Sequence, residues 1–197
     1  RVNMTPAEQH GVITTLKLFT LYELVAGNEY WGGRFKRMFP RHDIRQMAST
    51  FAYVELGVHA PFYNKINKAL HLDNDEFYTD YVNDTVLKAR MDAVESYVNH
   101  DDDLVSLGAF SMVEGAVLYS AFAFLKHFQT RGKNKLMNVV RGINFSVRDE
   151  NLHCEGGAWA FRQLLSERSQ AGLGANMDLH DKLTTVAIEL YNHECHI

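Results

Sequence analysis

Asn134–Arg168, "NKLMNVVRGINFSVRDENLHCEGGAWAFRQLLSER", contains no proline and reads as one continuous helix. Within it, Asp149-Glu150-Asn151-Leu152-His153, "DENLH", sets a carboxylate and an imidazole three residues apart. On a helix of 3.6 residues per turn, Glu150 and His153 therefore project from one face, about a turn from each other. The fold depends on what the rest of the chain sets opposite that face.

The three prolines of the 197-residue chain all lie in its first third, which leaves long stretches free to be helical. Thr5-Pro6-Ala7-Glu8 predicts a helix start, with Thr5 as cap, Pro6 in the first turn and Glu8 completing a capping box. That helix is expected to run to about Ala26 and end at Gly27-Asn28, with "EYWGGRFKRMFPRHD" (29–43) as a connection. Asp43 is expected to cap a second long helix reaching about Leu70, and Asp73 and Asp84 to open two shorter ones. Asp101-Asp102-Asp103 reads as a solvated charge run at a helix N-terminus, favoured by the helix dipole, rather than as a metal site. A very apolar helix follows from Leu104 to about Gln129, Arg131-Gly132 breaks it, and a last helix follows Asp178. No β-like alternation and no internal repeat compete with this reading. Helices of twenty or more residues joined by short turns pack most economically as an antiparallel bundle, here one domain over residues 1–197.

Composition narrows the function. With 46% hydrophobic and 22% charged residues and a net charge of −4, the chain reads as an ordinary globular protein with no footprint for nucleic acid or an anionic membrane. Cys154 and Cys195 are too few for a disulfide framework and lack zinc-site spacing, so a reduced, cytoplasmic setting is expected. Even "LGAFSMVEGAVLYSAFAFL" carries Glu114 at its centre, so no membrane span is expected. Arg1 in place of a methionine is consistent with an N-terminal segment preceding the sequence.

Buried carboxylates are costly unless paired or metal-bound, and four long helices each offer one. Glu23 lies on the stripe of Leu16, Phe19 and Thr20; Glu55 has His59 one turn later; Glu114 interrupts the most apolar helix; Glu150 has His153. Any one of them has a bland reading as a surface charge or a core histidine, but those readings would all have to hold together. Gly57, Gly115 and Gly156-Gly157 beside these residues suggest close helix approach or local π-bulges, since a mid-helix glycine otherwise costs about 1 kcal/mol. Four Glu and two His suit a pair of first-row transition ions, because carboxylates can bridge two ions and balance their charge, whereas zinc needs fewer ligands. One Glu from each of two helices, with a Glu and a His from each of two others, is the known ferritin-like dimetal pattern.

At these residues the chain resembles the radical-generating small (β) subunit of class I ribonucleotide reductase. "FAYVELGVHAPFY" (51–63) is similar to that family's helix bearing a ligand Glu, a ligand His and, four residues later, the radical tyrosine. "VRDENLH" (147–153) resembles its Arg-Asp-Glu-x-x-His motif, and "VEGAVLYSAFAF" (113–124) its ligand Glu on an apolar helix. The resemblance runs from about Leu16 to Leu165. It implies a ferritin-like bundle in which Glu23, Glu55, His59, Glu114, Glu150 and His153 bind two transition-metal ions, iron first, with manganese or a mixed pair as other choices. It further implies that Tyr63 holds a radical, that Asp149 hydrogen-bonds a ligand histidine on the route to a large catalytic subunit, and that the small subunit is a homodimer. Phe122, Phe145, Leu118 and Ile143 are expected to line the radical's dry pocket, and Trp31, Tyr191 or a residue outside the chain to continue the route.

Three departures stand out. Glu23 occupies a position where many relatives have Asp; Glu55 and His59 are four apart where three is usual; and the family's tryptophan well before the first ligand, which with a tyrosine of a C-terminal tail serves radical transfer, has no room before Arg1. A stand-alone diiron oxidase or monooxygenase, or a metal-storage bundle, would share much of this pattern.

Overall fold

The computed structural model describes residues 3–130, 132–173 and 178–197. Among these every regular element is helical and there is no strand, giving the ferritin-like bundle the sequence predicts. Helix α1 (Pro6–Leu24) opens as expected: Thr5 Oγ1 accepts from the Glu8 amide, and Glu8 accepts from the Thr5 amide.

It does not end at Gly27-Asn28. The winding loosens into a π-helical segment, π1 (Val25–Arg34), and continues through α2 (Phe35–Met38), so most of the expected connection is helix. A π turn takes one residue more than an α turn and brings carbonyls close to residues five further on. A Cβ on Gly32 would stand 2.6 Å from the Gly27 carbonyl oxygen, and one on Gly33 2.9 Å from that of Asn28. The glycines that look like a helix stop therefore permit the wide turns.

Helix α3 (His42–Val54), π2 (Glu55–His59) and α4 (Ala60–Ala69) form the second long rod. Its N-cap is Arg41 rather than Asp43, which sits in the first turn and accepts from Arg41 and from the Ile44 amide. Asn74, not Asp73, caps α5 (Asp75–Thr79), and Asp84 caps α6 (Thr85–Val98) as expected. The third rod is α7 (Asp103–Met112), π3 (Val113–Val117) and α8 (Leu118–His127). Asp102 caps it and also takes Arg168, while Asp103 pairs with Arg34, so these two clamp neighbouring elements, and Asp101 is exposed as expected. Arg131 lies outside the described residues; Gly132 is in the left-handed region at φ 80°. Helix α9 (Met137–Gln170) begins three residues later than expected, because Leu136 at φ 55° turns the chain just before it. Helix α10 (Leu179–His196) follows Asp178.

Asp103–His127 is long and apolar enough by composition to cross a membrane, but it packs against α6, α9 and α10 as a core rod. The core it joins includes Leu16, Phe19, Trp31, Phe110, Phe122 and Ile143, all with almost no exposure.

Candidate metal centre

Three of the four rods that carry the candidate carboxylates place them at a wide turn. Glu23 is in the last turn of α1 where π1 begins, Glu55 and His59 bound π2, and Glu114 is in π3. The extra residue in π2 absorbs the four-residue spacing, so Glu55 and His59 still share a face. Glu150 and His153 use the ordinary α spacing on α9.

All six side chains are buried and converge. His59 Nδ1 lies 3.0 Å from Glu55 Oε2, 3.2 Å from Glu150 Oε1 and 3.7 Å from Glu23 Oε2. His153 Nδ1 lies 2.6 Å from Glu55 Oε1, 3.1 Å from Glu150 Oε2 and 3.9 Å from Glu114 Oε2. The potential ligand atoms thus form two groups, Glu23-Glu55-His59-Glu150 and Glu55-Glu114-Glu150-His153, each with its atoms within 4.8 Å of one another. Glu55 and Glu150 belong to both and offer one oxygen to each side.

Without a cation this arrangement is electrostatically expensive. Burial, then the charge of Glu55, pushes Glu23 well above the usual carboxylate range, and burial with the charge of Glu150 does the same to Glu114. Burial also opposes ionisation of Glu55 and Glu150, but hydrogen bonds, those from the two histidines among them, overcome it and hold both low. Burial would lower both histidines; the surrounding carboxylates instead raise His59 far up and His153 to about 9. One oxygen of each glutamate, Glu23 Oε2, Glu55 Oε1, Glu114 Oε2 and Glu150 Oε1, still makes no hydrogen bond. Four orphaned inward oxygens and two imidazoles fit a pair of divalent transition ions, which would satisfy the oxygens and balance the charge.

Tyr63 on α4 is fully buried and lies flat against Phe19, ring centroids 4.7 Å apart; Phe19 in turn stacks on Phe122 at 5.1 Å. Its hydroxyl has no hydrogen-bond partner, and burial followed by the Glu23 charge raises its pKa well above the usual phenol value. Of the expected lining, Phe122, Leu118 and Ile143 are buried in the core, but Phe145 is 59% exposed on the outer face of α9. Phe145 is excluded because the face it shares is not the one that carries Ser146, Glu150 and His153 inward. The stacking partner missed by the sequence reading is Phe19, four residues before Glu23 and so on the same face.

Asp149 Oδ2 accepts from His59 Nε2 at 3.1 Å, while its side chain is 41% exposed. Trp31, expected in a connection, is instead fully buried in π1 against the centre. Tyr191 is exposed on α10.

No curated protein matches the chain. The family model described as ribonucleotide reductase, small chain, matches residues 1–197, and members of that family carry a dinuclear metal site of the kind this Glu/His cluster would hold. The chain belongs to the ribonucleotide reductase small-chain family.

Proposed function

We propose that the protein is the radical-generating small subunit of a class I ribonucleotide reductase. Glu23, Glu55, His59, Glu114, Glu150 and His153 hold two transition ions, with iron, manganese or a mixed pair all compatible with the donors. When bound, the metal pair supplies, after reaction with an oxidant, an equivalent strong enough to take an electron from a phenol. Tyr63 would give up that electron to the metal pair and its phenolic proton to a carboxylate of the centre, Glu23 being the one whose charge bears most on it. Phe19 and Phe122 exclude water from the ring. Asp149 fixes the His59 ring with Nδ1 inward, and its exposed carboxylate marks where the equivalent passes toward a large catalytic subunit. There it would start reduction of ribonucleotides, as diphosphates or triphosphates, to deoxyribonucleotides. A cytoplasmic homodimer completes the reading.

The observation that carries it is a buried tyrosine beside two ligand groups that share Glu55 and Glu150, in a chain of this family. A stand-alone oxidase of the same superfamily would need a substrate cavity against the cluster, whereas aromatic rings of Phe51 and Trp31 pack directly on His153. The test is nucleotide reduction by metal-loaded protein with its large subunit. Tyr63→Phe is expected to keep its fold, within about 1 kcal/mol, and its metal while losing turnover. Full turnover in Tyr63→Phe would shift the stored oxidant from the tyrosine to the metals.

A further inference from the structure

Glu114 differs from the other three carboxylates in what its two oxygens meet. Oε2 is one of the orphaned atoms and faces the His153 group. Oε1 is occupied: the indole Nε1–H of Trp31 donates to it at 3.1 Å, with both residues fully buried. The indole cannot easily turn away. Its ring is enclosed by Tyr30, Phe35, Phe51 and Phe110, with centroids 4.9–5.7 Å away.

The wide winding of π1 places it there. Eight residues separate Glu23 from Trp31, roughly 2.2 turns of an α-helix. The π turns reduce that toward two whole turns, so both residues return to the face of the metal centre.

We infer that Trp31 is a positioning residue for the metal position formed by Glu55, Glu114, Glu150 and His153, restricting Glu114 to ligation through Oε2 alone. If Glu114 turned to bind through both oxygens, the buried Trp31 N–H would lose the acceptor it has in this structure. Among the described residues, the hydrogen bonds of Glu55 and Glu150 are to the histidines of the cluster and not to an indole. The inference rests on the two-ion reading of the cluster but not on the radical or on nucleotide chemistry.

Two measurements test it. Metal-free protein is titrated calorimetrically with Co²⁺, with His153→Ala identifying which binding event belongs to the Glu114 side. Trp31→Phe keeps the ring and removes the N–H; it is expected to weaken that ion about ten- to a hundredfold and leave the other unchanged. Equal weakening of both ions, or of neither, would overturn the inference. Wild-type protein binding fewer than two ions would overturn it together with the two-ion reading. The second measurement does not depend on how Trp31→Phe folds. With Trp159→Phe, Trp31 becomes the sole tryptophan, and its indole N–H is followed by NMR as Zn²⁺ is added. A signal that stays downfield and protected from exchange in the loaded protein supports the tether, and one that loses protection on loading contradicts it.

Discussion

The two halves of the metal centre offer nearly the same ligands in opposite surroundings. On one side the outward nitrogen of His59 meets Asp149, whose carboxylate reaches solvent. On the other the outward oxygen of Glu114 meets Trp31, inside an aromatic enclosure with no exposure. Glu55 and Glu150 join the halves. One side is polar and half-open, the other sealed and apolar. The two halves thus differ in what surrounds the clustered side chains, not in those side chains themselves.

The sharpest way to break the comparison is to remove a shared ligand. Glu55→Ala or Glu150→Ala is expected to lose both ions, whereas Glu114→Ala or His153→Ala is expected to lose the ion on the sealed side, since deleting one partner leaves buried charge uncompensated. Elemental analysis finding two ions in Glu114→Ala or His153→Ala would defeat the assignment. The metal-free bundle is expected to stay folded on its own apolar core.

Acidity should distinguish the loaded from the metal-free state next most strongly. His153 is raised from 6.5 to about 9, so its ion pairs stabilise the metal-free fold fully below about pH 6.5 and are lost as pH rises through about 9. A metal requires the neutral ring. Apparent affinity should therefore climb over the same window, by up to about tenfold per pH unit for each proton displaced, while the melting temperature of metal-free protein falls. Affinity that is flat from pH 6.5 to 9 would contradict the charge state derived for the sealed half.

Asp149→Asn probes the open half. It keeps the shape and weakens the acceptor for His59, so metal affinity should fall about tenfold, turnover with the large subunit much more, and Tyr63 radical yield only in part. Normal turnover would take Asp149 off the route. The smallest effect is expected at Gly115, where an added Cβ would meet Cys154 Sγ across the contact between π3 and α9. Gly115→Ala should cost about 1–3 kcal/mol of stability, and Cys154→Ala in the same chain should recover part of it; additive losses would mean that the two do not touch.

The six side chains that cluster in the core were legible in the sequence because each is an ionisable group on an apolar stripe, and the 34-residue helix α9 because nothing in it interrupts the α period. The winding was harder to read. Gly57 and Gly115 hinted at wide turns, and π2 and π3 lie there. The same signal at Gly27, Gly32 and Gly33 looked like a helix stop, because glycine both ends helices and permits close carbonyls. That misreading hid Trp31, whose place against Glu114 exists only if the helix continues. Cap positions slipped by one or two residues at Arg41 and Asn74, where the local hydrogen bonds, not the nearest aspartate, decide the start.

The central claim, a Tyr63 radical made beside a two-ion centre, is tested most directly by electron paramagnetic resonance of reconstituted protein grown with ring-deuterated tyrosine. The account predicts an organic radical whose proton hyperfine structure collapses on deuteration and which is absent from Tyr63→Phe that still binds two ions. A radical that survives in Tyr63→Phe, or its absence from wild-type protein carrying two oxidised ions, would contradict it.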